Sequence, residues 1–249
     1  MSRDYKLNFL TGMQNYLFFD TETTGNTEKD VLCQIAYKLN GTEFSGLYKP
    51  SIAIPPEASA VHHITNKMVA DKSAFRESND YTSVKNLFEG GSAIPVAHNA
   101  KFDVDMFKKE GIAIPRFICT LRLARHLDKE GKIPRYNLQY LRYFLGIEID
   151  AQAHDALGDV KVLEALFERL KAKVVAEVGE EKALDEMLAV SARPSLMRTF
   201  TFGKHNEKDI ADVAKIDRGY LEWLLAQKMQ NENDEEDWIY TLKHYLGKE

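Results

Sequence analysis

The sequence predicts an α/β protein, a five-stranded sheet layered against helices, followed by a small helical module. Three observations carry that reading. Aromatic-rich apolar runs and a third strand-like stretch open the chain, strand-like and helical runs then alternate to about residue 119, and after residue 120 the apolar positions recur at helical spacing. Strands that alternate with helices bury both faces of a sheet, which is the layered α/β solution.

In order, Tyr16–Phe19, Val31–Leu39 and Glu43–Tyr48 read as three successive strands. Asn40-Gly41 is the hairpin turn before the third, because Asn-Gly supplies the two positive-φ positions a tight hairpin needs. Helical character begins after the proline-marked loop Ile54-Pro55-Pro56. Ala93–Ala97 and Arg116–Cys119 read as two further strands, separated by a helix over Ala100–Glu110. Helices follow at about 120–128, 137–145 and 155–173, the last with Leu157, Val160, Leu163, Leu166 and Leu170 along one stripe. Another near 180–190 runs into Ser191-Ala192-Arg193-Pro194-Ser195, where Pro194 is the breaker. Beyond it, short helices are expected near 207–215, 217–229 and 234–246. The expected divisions are a main domain over 1–190, a linker over 191–199 and a module over 200–249. The run Asn231–Asp237 (NENDEED) reads as a loop or a solvated helix start rather than a metal site.

With 249 residues, 44% hydrophobic and 29% charged, the chain is long enough for one large core and a small appended unit. The cysteines, Cys33 and Cys119, are far apart and form no CxxC, which argues against a disulfide framework or structural zinc and fits a reducing compartment. No apolar run approaches the roughly 20 residues of a membrane span, and MSRDYKLNFLTG lacks the apolar core of a secretory signal. A cytoplasmic protein with no membrane partner is expected.

The net charge of −5 sits poorly with a polyanionic partner until its distribution is considered. Residues 200–249 hold 7 Lys and Arg against 11 Asp and Glu, net −4, which leaves net −1 for residues 1–199. Arg116, Arg122, Arg125, Lys129, Lys132, Arg135 and Arg142 face only Asp128 and Glu130 within that stretch. That is either a phosphate-facing surface or a solvated helix face.

Asp20-Thr21-Glu22 closes the first strand, and alternation along an extended backbone puts both carboxylates on one side. By itself such a pair is also what an exposed turn offers. Thr23-Thr24-Gly25 follows, small and polar, with backbone N–H groups for a ligand. Asp103, in His98-Asn99-Ala100-Lys101-Phe102-Asp103, falls on the inward stripe of Phe102, Met106 and Phe107. A carboxylate facing a core needs a metal or a cation, and Lys101 and Lys108 are the nearby lysines. Asp159 occupies the apolar stripe of the long helix, Asp155 is placed to cap it, and His154 precedes it, either structural or able to swing toward a bound water. Acids from three separate elements make an all-oxygen site suited to hard divalent cations such as Mg²⁺ or Mn²⁺. Two such ions can serve hydrolysis of a phosphodiester, and an imidazole with a pKa near 6.5 suits the water's proton.

The segments FDTETTG at 19–25, HNAKFD at 98–103 and HDALGDV at 154–160 resemble the three motifs of the DEDDh exonuclease family, which includes polymerase proofreading subunits, RNase T and oligoribonuclease. The resemblance spans about residues 14–172. It implies an RNase H-like fold with a mixed five-stranded sheet, and release of nucleoside 5′-monophosphates from a 3′ end. Asp20, Glu22, Asp103 and Asp159 are then ligands of two Mg²⁺ ions, which Mn²⁺ replaces, and His154 is the general base. Val61-His62-His63-Ile64-Thr65 resembles the family's VHGIT element, with His63 in place of the glycine. His62 and Ile64, with Thr23, Thr24, Gly25, Asn99 and Phe102, are expected near the terminal nucleotide. The stretch at 200–225 resembles the C-terminal module of exodeoxyribonuclease X-like proteins and tilts the expected partner toward DNA over RNA. Its Phe200, Phe202, Tyr220 and Trp223 form either a base-stacking platform or the module's own core. The alternatives left by the sequence are an exoribonuclease trimming RNA or short oligonucleotides and a silent nucleic-acid-binding protein, with a homodimer among the open assemblies.

Overall fold

The computed structural model of the chain describes residues 14–150, 155–231 and 235–248. Among them, β1 (Tyr16–Thr23), β2 (Leu32–Leu39), β3 (Thr42–Leu47), β4 (Ile94–Ala97) and β5 (Ile118–Cys119) form one sheet in the order β3-β2-β1-β4-β5. β2 pairs antiparallel with both β1 and β3, whereas β4 pairs parallel with both β1 and β5. The sheet is therefore mixed, as expected. The β2–β3 hairpin turns on Asn40 and Gly41 with φ of 49° and 80°, the backbone an Asn-Gly pair adopts most readily.

β1 occupies the middle of the sheet, which explains its unbroken apolar run. Phe18 faces a core shared with α5 (Thr120–Leu127), α6 (Leu138–Phe144), α7 (Ala156–Val178) and α8 (Glu180–Ser191). Leu17 and Phe19 face the other layer, built on α3 (Tyr81–Glu89) and α4 (Ala100–Lys109). There Phe19, Phe88 and Phe107 meet with ring centroids 4.5 to 5.5 Å apart, in tilted and edge-on contacts that aromatic quadrupoles favour. Two short helices, α1 (Pro56–His62) and α2 (Asn66–Val69), connect β3 to α3 and close a small cluster of Cys33, Ile54, Ile64 and Val69. Both cysteines are buried and unpaired, and burial pushes the Cys33 thiol up to about 12 and raises Cys119 as well. No helix of the described residues is long and apolar enough to cross a membrane.

The C-terminal module packs α9 (Ile210–Ile216), α10 (Arg218–Lys228) and α11 (Glu236–Leu246) around Phe200, Leu221, Leu224 and Leu242. Asp209 and Asp217 cap α9 and α10 by accepting from Asp212 N and Tyr220 N.

The segment 191–199 bonds to both parts of the chain: the Ser191 hydroxyl accepts from Cys119 N at 2.8 Å, Ser195 N donates to Asp237 at 2.9 Å, and Met197 N donates to Thr241 Oγ1 at 2.9 Å. The basic stretch is not one phosphate-facing surface. Arg122 is buried and donates to Ser191 O and to Glu236, with Asp237 3.5 Å away, while Arg125 pairs with Asp237 at 2.5 Å. Lys129 pairs with Glu177, Lys132 with Glu130, and Arg142 donates to Ile149 O. Arg122 and Arg125 hold structure, and the Glu236-Asp237 end of the acidic run is their counter-charge. Residues 232–234 of that run lie outside the described residues.

Candidate active site

The site forms where the middle strand of the sheet ends. Two residues beyond Phe18, Asp20 shares its face of β1, and Glu22 follows by the same alternation. A bulge at Glu22/Thr23 ends the regular pairing with β2, a device that re-aims side chains at the rim of a sheet. α7 lies against this face, and Asp159 in its first turn meets the strand acids, with one carboxylate oxygen from each of Asp20, Glu22 and Asp159 within 4.8 Å of the others. The Asp155 side chain accepts from Gly158 N and fixes the start of α7, as the sequence predicts.

Asp103 enters from the opposite layer, on α4, and is 3% exposed. Its Oδ1 accepts from Thr21 N at 3.0 Å and from Thr21 Oγ1 at 2.7 Å. Lys101 is engaged by Asp105 at 2.8 Å, so Asp103 is held by Thr21, between the two strand acids. Gln139 on α6 donates to Asp159 Oδ1, a contact that an ordinary polar residue on a helix does not announce in the sequence.

These acids are mutually repelling. Burial, then Asp103, Glu22 and Asp159, holds the Asp20 carboxyl well above its usual range. Burial followed by Asp159 and Asp103 pushes Glu22 up to about 8, and burial pushes Asp103 up to about 7 against the lowering effect of the Thr21 hydrogen bonds. Converging hard oxygens that crowd like charges at one spot fit a divalent cation.

The family model described as Exonuclease matches residues 17–167, a span that contains all four acids, and the model Exodeoxyribonuclease X-like C-terminal matches residues 200–228. The chain belongs to the exonuclease family. Exodeoxyribonuclease 10 of Escherichia coli (strain K12) is 32% identical to this exonuclease over 233 residues, 91% of this chain and 96% of that protein. DNA polymerase III subunit epsilon of Treponema pallidum (strain Nichols) is 34% identical over 162 residues, 60% of this chain and 73% of that one. The solved structure of exonuclease X in complex with 5′ overhanging duplex DNA matches with a TM-score of 0.55 at 28% identity, over 71% of this chain and 99% of that chain.

Around the acids, the exonuclease keeps its loop after β1 rigid by internal bonding. Asp30 accepts from Thr24 Oγ1 at 2.8 Å and from both the N–H and hydroxyl of Thr27, and the Thr23 hydroxyl donates to Gly25 O at 2.5 Å. A Cβ at Gly25 would stand 2.7 Å from the Asp30 carboxylate, so the residue type is fixed by that approach. The Thr24 N–H already bonds Val31 O, which removes it from the backbone donors expected for a ligand.

His62 and Ile64 are both buried. The His62 Nδ1 accepts from Ile64 N at 3.0 Å and its Nε2–H donates to Thr23 O at 3.2 Å, so both ring nitrogens are taken by backbone. Ile64 is 3% exposed in the small cluster with Cys33. His62 thereby ties the end of β1 to the segment after α1. His63 adopts φ 62°, the left-handed conformation that suits glycine and follows α1 directly. Asn99 is exposed, also left-handed at φ 61°, at the start of α4, and Phe102 is half-buried against the second layer. His154 lies outside the described residues. In the module, Phe200, Phe202 and Tyr220 belong to its core, and Trp223 is exposed.

Proposed function

We propose that this exonuclease hydrolyses DNA from its 3′ end, releasing nucleoside 5′-monophosphates, with two divalent cations, Mg²⁺ or Mn²⁺, on Asp20, Glu22, Asp103 and Asp159. The observation that carries this is the convergence of Asp20, Glu22 and Asp159 on one spot, where burial and the neighbouring carboxylates raise the pKa values of Asp20 and Glu22. DNA is favoured because the long relatives are deoxyribonucleases by name and the C-terminal module matches that of the exodeoxyribonuclease X-like proteins.

Bound cations supply Lewis-acid polarisation of the phosphate and a more acidic water. The chain's own residues do the rest. Asp20 and Glu22 are fixed by the sheet, Asp159 is steadied by Gln139, and Asp103 is oriented by the double bond from Thr21. His154, directly before the cap of α7, takes the proton of the attacking water, whose oxygen bonds to phosphorus as the P–O3′ bond breaks. The buried thiols agree with a reducing, cytoplasmic setting.

The test is end-labelled single-stranded and duplex DNA and RNA, each with Mg²⁺, Mn²⁺ or EDTA, with products resolved by length. Stepwise shortening from the 3′ end of DNA in Mg²⁺, abolished by EDTA, is expected. Faster loss of the matched RNA would overturn the DNA assignment, since the 2′-hydroxyl is the main difference available to the site.

A further inference from the structure

Tyr143 and Phe144, adjacent on α6, are 74% and 47% exposed. Tyr140 stacks on Phe144 with centroids 5.8 Å apart and planes 20° from parallel, so three rings share one short helix face. The same helix supplies Gln139, whose amide N–H holds Asp159. Gln139 Oε1 accepts from Arg142 Nη1 at 3.4 Å, and the Arg142 guanidinium lies 5.3 Å from the centroid of the Tyr143 ring, backing one face and leaving the other to solvent. The exposed rings are therefore joined to the acid cluster by an unbroken chain of contacts.

We propose that Tyr140, Tyr143 and Phe144 form a stacking platform for unpaired bases of the strand whose end occupies the acid cluster. The inference rests on the nuclease reading and deepens it. Stacking on aromatic faces beside a cationic groove is how single strands are held without sequence preference. A groove of mixed charge adjoins the rings, its Lys101, Arg122 and Arg125 already paired with Asp105, Glu236 and Asp237. A hollow of about 400 Å³ beside the rings continues, through the shared residues Arg135, Asn137 and Tyr140, into a cleft of about 1130 Å³. That cleft is walled by Asn99 and Lys101, at the start of the helix that bears Asp103, and by Arg198 at the module. Arg135 and Arg198 are exposed on that cleft and make no ion pair among the described residues; Arg198 also acts on the Asp128 carboxylate, which leaves Arg135 the better placed for a phosphate. A second copy of the chain is the less suitable occupant, since three rings cover less than the roughly 800 Å² per partner that a stable interface buries.

The test is the double variant Tyr143→Ala/Phe144→Ala. On single-stranded DNA of eight or more nucleotides its KM is expected to rise about tenfold or more, the usual consequence of losing a base-stacking ring. The rise should shrink as the substrate is shortened to a dinucleotide, and Tyr143→Phe/Phe144→Tyr, which keeps both rings, should restore the wild-type value. Fluorescence anisotropy of a labelled oligonucleotide in Ca²⁺ reads the same loss as a Kd without turnover. Wild-type KM and Kd on the long substrate would overturn the platform. So would a wild-type dimer that the double variant converts to monomer in sedimentation, which would assign the rings to a second copy. Ring-dependent binding by a wild-type protein that hydrolyses nothing would instead sink the nuclease reading and leave the platform standing.

Discussion

Two sets of carboxylates in this molecule keep opposite company. At the end of β1, acids face acids, and Asp20, Glu22 and Asp103 all hold their protons more tightly than free carboxylates do. At the foot of the module, Glu236 and Asp237 face Arg122 and Arg125, with the Arg122 fork divided between Ser191 O and the acidic side chains. The first arrangement costs stability and the second joins two parts of the chain. Unmatched buried charge is the better indicator of a working site, while matched charge indicates architecture.

The largest effect expected at the unmatched set is from Asp20→Ala or Asp159→Ala. Hydrolysis at saturating Mg²⁺ should fall by roughly 10³-fold or more, as the loss of several kcal/mol of cation stabilisation implies. Melting temperature in EDTA should stay level or rise, because one repelling charge is gone. Wild-type turnover in either variant would remove the functional half of the comparison. His154→Ala follows, with a fall of about 10²–10⁴-fold near neutral pH and Mg²⁺ affinity retained in titration. Collapse of metal affinity with a normal rate at saturating metal would make His154 a ligand or a structural residue instead.

At the matched set, Arg122→Met should change stability rather than chemistry. It removes the cation facing Glu236, while Asp237 keeps Arg125 and the Ser195 N–H, and urea denaturation should show a loss of about 2 kcal/mol, below the value for a fully buried pair because Glu236 keeps some contact with water. Unchanged stability would mean that the module is held by apolar packing alone. The smallest effect is the pH dependence of the metal-free fold. Glu22 binds its proton more tightly folded than unfolded, so its stabilising contribution is complete below the usual 4.5 and is lost as pH rises to about 8. Melting temperature in EDTA should fall by a few degrees, roughly 2–4 °C per kcal/mol, across that window. Excess Mg²⁺ should abolish the fall, and a flat profile in EDTA would contradict the crowding.

The same contrast explains what the sequence made legible. Asp103 and Asp159 stood out because a carboxylate on an apolar helical stripe violates local patterning, and the strands and helices were visible in their own periodicities. Arg122 and Arg125 fit either a phosphate-facing surface or a solvated helix face in the sequence, because their acidic partners lie more than 100 positions along the chain, beyond the reach of any local pattern. Gln139 gave no signal, since a glutamine on a helix is ordinary until the helix is placed against Asp159. The motif alone draws attention to His62, and only the fold shows its ring bonded to the backbone at Thr23 and Ile64. Phe200 and Trp223 carried equal weight in the sequence, and only packing separates the buried ring from the exposed one.

The two buried thiols have a practical consequence. Cys33 is fully enclosed, Cys119 is 3% exposed, and both are poor thiolates, so neither competes for a maleimide or a spin label under native conditions. A cysteine introduced at Trp223 on the module and another at Arg116 on the main domain would be the reactive handles in an otherwise silent background. Distance measurements between two such labels, with and without Mg²⁺ and DNA, would then report whether the module stays seated while the strand end is being processed.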